Sequence, residues 1–314
     1  AVPVLALMHE RLNAQYSVGA CNAKGCSELS AALQPDIAKA MGYFKASNAR
    51  GGHKYGSSLA LSADGTTLAV AAWRENTNSA GINGAETSET LLAGSGAVYV
   101  YVRGPAGTWS KQAYIKASTP GLGANFGTTV SLSGDGNTLA VGAPWEQGKG
   151  AAYVFHRDAN GWAERTKITS AHPDDADAFG AAVALSSNGL TLAVGAVGES
   201  SGSTTNQQDN SAEAAGAVFV YTRNAADTWS LQRYVKPSAP SAFASFGTAV
   251  ALSANGDTLV ASAPWESQGT PPKAIGAAYI FKRNGTDWTE QERLVADIPD
   301  HFDSYSNFQR YVDL

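Results

Sequence analysis

One segment of this chain occurs four times, and no other property narrows its fold as far. Phe126-Gly127 opens a stretch that alternates through Val130 and Leu132. It turns at Gly134-Asp135-Gly136-Asn137, returns as Thr138-Leu139-Ala140-Val141 and closes on Gly142-Ala143-Pro144-Trp145-Glu146. Tyr55-Gly56 leads in the same order through Asp64-Gly65 to Leu68-Ala69-Val70 and Ala72-Trp73. Phe179-Gly180 leads through Asn188-Gly189 to Ala196-Val197, and Phe246-Gly247 through Asn255-Gly256 to Ala263-Pro264. Copies at intervals of 53 to 71 residues mean a repeat architecture, in which each unit buries its face against the next.

Each copy reads as four strands. The first alternates after the Phe-Gly pair, and Asp-Gly or Asn-Gly then gives a short hairpin signal. The second is Thr-Leu-Ala-Val followed by small residues, which let neighbouring backbones approach. The third opens on Gly-Ala and runs over 96–103, 150–157, 216–223 and 276–283, rich in Val, Tyr and Phe. The fourth opens on Trp109, Trp162, Trp229 or Trp288. Four antiparallel strands, repeated four times, describe the blades of an all-β propeller. The low charged fraction of 16% and the 33 glycines suit such a chain of short strands and turns.

These residues carry a resemblance. The Phe-Gly…Gly-Ala-Pro repeat resembles the FG-GAP repeats of integrin α-chain β-propellers and, more closely, their bacterial relatives. It covers 43–314 and implies one blade per repeat, usually in a seven-bladed ring. The family's blades usually carry a calcium loop of the Asp-x-Asp-x-Asp-Gly kind. The corresponding turns here, among them Ser133-Gly134-Asp135-Gly136, are too short and have too few carboxylates for that shell, so no cofactor is expected from them.

Residues 1–34 do not share the repeat. Tyr16 to Ser27 alternates on both sides of Asn22-Ala23-Lys24-Gly25 and reads as a hairpin. With the Leu12…Tyr16 pair, it resembles the last two strands and tyrosine corner of a fibronectin type III domain. Cys21 and Cys26 would face each other on that hairpin, within disulfide reach, which favours an exported protein; two free thiols are the other reading. Residues 35–42 are a linker or one short helix. Ala1 to Met8 is too short and lacks the basic start of a signal peptide. At the other end, Asn307-Phe308-Gln309-Arg310-Tyr311-Val312 lines up with Asn125-Phe126-Gly127-Thr128-Thr129-Val130. The chain is therefore expected to hold four blades and a portion of a fifth, with both ends cut and sheet edges open to self-association. Residues 43–47 are a candidate outer strand for that fifth blade.

Several recurring residues are candidates for a ligand or partner face. A glutamate follows each Gly-Ala-Pro site: Glu75, Glu146, Glu199 and Glu266. They form a ring for a cation or ligand, or belong to each blade's own hydrogen bonding. Trp73, Trp145 and Trp265 stand beside them, either to stack on a sugar or partner or to pack between blades. Two long connections, 76–95 and 200–215, alternate with short ones at 147–149 and 267–275, as if a two-blade unit had been duplicated. Asp174, Asp175 and Asp177, and likewise Asp297, Asp300 and Asp303, are weak calcium candidates; a solvated connection is the plainer account.

The net charge of −5, without a basic run, argues against nucleic acid. No apolar run approaches the ~18 residues of a membrane span. No nucleophile elbow, P-loop, dinucleotide fingerprint or paired-histidine spacing is present, so a non-enzymatic chain is expected. By analogy with the resemblance, it is an extracellular or bacterial cell-surface module for adhesion or protein interaction, with a protein or glycan ligand. The alternatives are a carbohydrate-binding propeller or accessory of a polysaccharide-degrading enzyme, and a structural or filament-forming subunit.

Overall fold

The computed structural model describes residues 21–22, 25–26, 44–87, 91–268, 273–274 and 276–295. They fall into two compact units. The first takes Ala1–Phe44 with Gly104–Trp109. Its β1 (Cys21–Asn22) and β2 (Gly25–Cys26) pair antiparallel, with the Cys21 backbone opposite Cys26. The rings of Phe44 and Trp109 meet edge-on with centroids 5.5 Å apart.

The second unit, Lys45–Arg103 with Ser110–Leu314, carries the repeats. Blade one is β3 (Tyr55–Leu61), β4 (Thr67–Ala72), β5 (Ala97–Arg103) and β6 (Trp109–Ile115). Blade two is β7 (Thr129–Leu132), β8 (Thr138–Ala143), β9 (Ala151–Asp158) and β10 (Gly161–Ile168). Blade three is β11 (Phe179–Leu185), β12 (Thr191–Ala196), β13 (Ala217–Arg223) and β14 (Trp229–Val235). Blade four is β15 (Val250–Leu252), β16 (Thr258–Ala263), β19 (Ala277–Asn284) and β20 (Asp287–Leu294), with the hairpin β17 (Ser267–Gln268) and β18 (Lys273–Ala274) between its second and third strands. All four sheets run in sequential antiparallel order. The fold is thus all-β, built of four-stranded propeller blades.

The first strands lie innermost. Leu61, Leu132, Leu185 and Leu252, one from each blade, line a shared cavity of about 470 Å³. The inner turns are linked by backbone bonds: Ala63 N–H to Gly134 O, Gly134 N–H to Ser187 O and Asn188 N–H to Ala254 O. The turn of blade two runs from Ser133 to Asn137, around the segment expected from the sequence. Ser133 Oγ accepts the Thr138 N–H at 2.9 Å, Asp135 accepts the Asn137 N–H at 3.0 Å, and Gly136 takes a positive φ of 67°. Ser62, Ser186 and Ser253 repeat the arrangement.

Period-two alternation gives each blade an aromatic face and a small-residue face. Ala69, Ala71, Val98 and Val100 of blade one pack against Phe126, Leu139, Tyr153 and Phe155 of blade two. Ala140, Ala152 and Val154 then receive Phe179, Phe219 and Tyr221. Ala193, Val218 and Val220 receive Phe246, Tyr279 and Phe281. Each phenylalanine of a Phe-Gly pair is wholly buried between blades, which stabilises by roughly 1.5–3 kcal/mol apiece. Its backbone makes a parallel bridge to the glycine that opens the previous blade's third strand: Gly96 with Phe126, Gly150 with Phe179 and Gly216 with Phe246. A Cβ on any of these three glycines would overlap the facing phenylalanine backbone. Phe44 to Ala46 form no strand, and the proposed fifth-blade stub at 307–314 lies outside the described residues.

Candidate functional site

The loops from second to third strand and from blade to blade leave the same end of each sheet, because the strands run antiparallel. The recurring glutamates, the tryptophans at 73, 145 and 265 and the acidic segment 174–177 all lie there. The four glutamates are buried, and each is held by a cation from the outer strand of its own blade or the residue just beyond it. Glu75 accepts from Lys116 Nζ at 2.5 Å, from the Thr77 N–H at 3.1 Å and from Asn48 Nδ2 at 2.9 Å. Glu199 accepts from Lys236 Nζ at 2.6 Å and from the Tyr234 hydroxyl at 2.8 Å. Glu146 accepts from Lys167 Nζ at 2.8 Å, and Glu266 from Arg293 Nε at 2.8 Å and the Tyr279 hydroxyl at 2.6 Å. Burial pulls the Lys116 and Lys236 ammonium groups below the ordinary lysine value, and the Glu75 and Glu199 carboxylates pull back. Lys116 and Lys236 share a Tyr-x-Lys-x-Ser sequence, but only the blade register brings the basic partners to the carboxylates.

The tryptophans lie further out. Trp145 is 47% exposed, and Trp265 is exposed as well. Trp73 is half-buried beneath the guanidinium of Arg74, 4.5 Å from its ring. Trp73 and Trp145 border one groove of about 490 Å³ at the junction of blades one and two, with His53, Arg74, Asn76 and Asn125 and a wall of Gly51, Gly52, Gly94 and Gly123. His53 is only 4% exposed. Its Nε2 meets Asn76 Oδ1 at 3.0 Å, while its buried Nδ1 has no hydrogen-bond partner among the described residues. Two of the outer tryptophans tie neighbouring blades together: Trp162 donates to Gln112 at 2.9 Å and Trp288 to Gln232 at 3.0 Å, each reaching the preceding blade.

The acidic segment before blade three is folded rather than splayed. Asp177 is buried and accepts the Asp174 N–H at 2.8 Å; Asn210 of the long connection donates to Asp174 at 2.9 Å. Burial pushes the Asp177 carboxyl up to about 6, against the pull of the Asp174 N–H. Among the described residues, no three His, Cys, Asp or Glu side chains are grouped to hold a metal ion. Asp297, Asp300 and Asp303 lie outside the described residues, as do the side chains of Cys21 and Cys26.

Sequence reading missed Phe243. It is 57% exposed, yet its backbone is left-handed, with φ 61°. The equivalent positions are Gly52, Gly123 and Ala176, also at positive φ. Its N–H bonds Glu213 O at 2.7 Å, as that of Gly123 bonds Ala93 O at 2.8 Å. Aligning the four loops would have exposed the mismatch between a glycine-type backbone and a bulky ring.

Residues 109–155 and 162–221 match the FG-GAP repeat family. Those two segments are similar to FG-GAP repeats, and the four-stranded antiparallel blades are those of a β-propeller-like protein. No curated protein sequence matches it. Among solved structures it is similar to a 6-phosphogluconolactonase candidate from Bacteroides uniformis, at 14% identity over 91% of this chain and 66% of that one, with a TM-score of 0.47. The periplasmic gluconolactonase PpgL of Pseudomonas aeruginosa matches at 20% identity over 92% and 69%, with a TM-score of 0.46. TolB of Acinetobacter baumannii matches at 13% identity over 74% and 42%, with a TM-score of 0.39. The chain thus spans about two thirds or less of the length of these three proteins. An FG-GAP propeller supports a protein-interaction module in general terms. No helix among the described residues is long and apolar enough to cross a membrane.

Proposed function

We propose that this chain is a non-enzymatic adhesion or protein-interaction module of the cell surface, and that it docks its partner on the loop end of the blades. The observation that carries this reading is Phe243. A bulky residue in left-handed backbone costs about 1–2 kcal/mol where glycine would cost almost nothing. An exposed ring kept at that cost gains nothing inside the fold, so contact with another molecule is its use. Leu122, 74% exposed in the equivalent loop, and the exposed Trp145 and Trp265 extend the same kind of surface. The export half of the proposal draws support from Cys21, which stands opposite Cys26 in backbone register.

The purified protein, probed against immobilised extracellular-matrix and cell-surface proteins by biolayer interferometry, should bind a partner. Phe243→Gly should weaken that binding at least about tenfold, the effect of a lost aromatic anchor, while raising thermal stability. Binding that survives Phe243→Gly, or no partner in the panel, defeats the docking proposal. Intact mass with and without reduction tests the disulfide.

A second reading, carbohydrate binding, is favoured by the groove at Trp73 and Trp145, where indole rings adjoin polar side chains and glycine-rich backbone.

A further inference from the structure

The groove at the junction of blades one and two breaks the repeat at three positions. Backbone bonds fix the correspondence between blades. The Arg74 N–H bonds His53 O at 3.3 Å, Trp145 bonds Ala124 O at 3.3 Å, Gly198 bonds Asp177 O at 3.0 Å and Trp265 bonds Ala244 O at 3.3 Å. Where blades two and four carry alanine, proline and tryptophan in turn, and blade three Asp177, Val197 and Gly198, blade one carries His53, Trp73 and Arg74. Packing explains the shared residues, but it does not call for an imidazole, a second indole and a guanidinium in one place.

The chemistry of the lining is one-sided. Arg74 lies on Trp73, and among the described residues no carboxylate pairs with it. His53 brings a buried Nδ1 without a partner among the described residues. Asn76 and Asn125 add amides, and Trp145 adds a half-exposed aromatic surface from the neighbouring blade. Among the described residues, no acidic side chain lines the groove. Its volume of about 490 Å³ lies in the range of small-ligand clefts.

We propose that this groove binds a carboxylated sugar residue of an acidic saccharide. The sugar ring stacks on Trp145, its carboxylate meets the Arg74 guanidinium, and its hydroxyls bond Asn76, Asn125 and the free nitrogen of His53. The proposal rests on the carbohydrate reading above. Charge complementarity then selects a uronate over a neutral sugar, because a guanidinium–carboxylate pair is strengthened by charge and by its planar fork.

The test titrates the protein with digalacturonate and with the neutral disaccharide galactobiose, followed by calorimetry and tryptophan fluorescence. The uronate should bind at least about tenfold more tightly, the equivalent of one charge-assisted contact. Arg74→Gln should erase that preference and leave the weak neutral-sugar affinity in place. Trp145→Ala should weaken both. Circular dichroism of each variant checks the fold, which these surface changes leave intact. Equal binding of both sugars, indifferent to Arg74→Gln, overturns the acidic assignment while the carbohydrate reading stands. Saturation by neither sugar overturns both. An acidic peptide that binds as tightly as digalacturonate and ignores Trp145→Ala makes the groove a carboxylate site for a protein, and overturns the proposal as well.

Discussion

Glu75 and Lys116 form an ion pair with no exposed side-chain surface, so neither charge is helped by water. Breaking such a pair costs more than the pair itself contributes, because the survivor is left charged and buried. Glu75→Gln should therefore cost about 3–5 kcal/mol in urea unfolding, while Glu75→Leu with Lys116→Met should recover most of it. The sign with pH follows from Lys116, whose folded-state value already lies below the ordinary one. Between the two values the unfolded chain binds more protons, so the Glu75→Gln variant should gain stability as pH rises. Asp177 runs the other way. Its folded value is raised to about 6, so the stability it supplies is present in acid and is lost as pH climbs through that value. Asp177→Asn should melt higher than the parent at neutral pH, with the gap closing below about pH 4, near the unperturbed carboxyl. The glutamates were legible because they recur beside one motif. Their pairing with the lysines was not, since Lys116 lies 41 residues from Glu75 and Lys236 37 from Glu199, and only the blade register joins them.

At the scale of the element, the Phe-Gly pair is a hinge between blades rather than a feature of one strand. The phenylalanine fills the neighbour's small-residue face, and the glycine gives way to the neighbour's backbone. Gly180 shows this: a Cβ there would overlap the Ala151 carbonyl of blade two. Gly56 holds the same repeat position with nearly the same φ, but it faces open space. Both substitutions to alanine incur the left-handed penalty of about 1–2 kcal/mol, yet only Gly180→Ala must also push neighbouring blades apart. Gly180→Ala should therefore cost at least about twice as much in thermal unfolding, and it should speed amide exchange at Gly150 and Phe179. The four-strand blade was readable from period-two alternation and turn residues. The two-blade period was readable from loop lengths, and the structure adds its wiring. Ser118 bonds Glu164 and Trp162 bonds Gln112, as Ser238 bonds Glu290 and Trp288 bonds Gln232. These bonds join blade one to two and three to four. The inner turns fall where the sequence put them, between Leu132 and Thr138, and the Ser and Asp side chains at 133 and 135 hold the loop by bonding local backbone.

At the scale of the repeat array, the same residue has two fates. Leu132, Leu185 and Leu252 are buried at the innermost strands, whereas Leu61 at the equivalent position is 56% exposed, and its neighbour Leu59 is exposed too. Tyr55, Tyr99 and Tyr101 on that blade replace phenylalanines at some equivalent sites, and they link hydroxyl to hydroxyl and to Asn48 and Lys45 O. Blade one therefore carries hydroxyls on its aromatic edge while two leucines on its inner strand stay open. An apolar pair of this kind on a strand invites association. Leu61→Glu should change folding stability by no more than about 0.5 kcal/mol, the usual effect at a surface site, and should shift concentrated protein toward smaller species in sedimentation velocity. Leu132→Glu places the same charge in the packed junction of blades one and two, and it should prevent folding. If Leu61→Glu proves as damaging as Leu132→Glu, the leucine is covered in the folded chain, and the open face reading fails. If it folds normally and sedimentation does not change, the face is open but is not the surface through which copies meet.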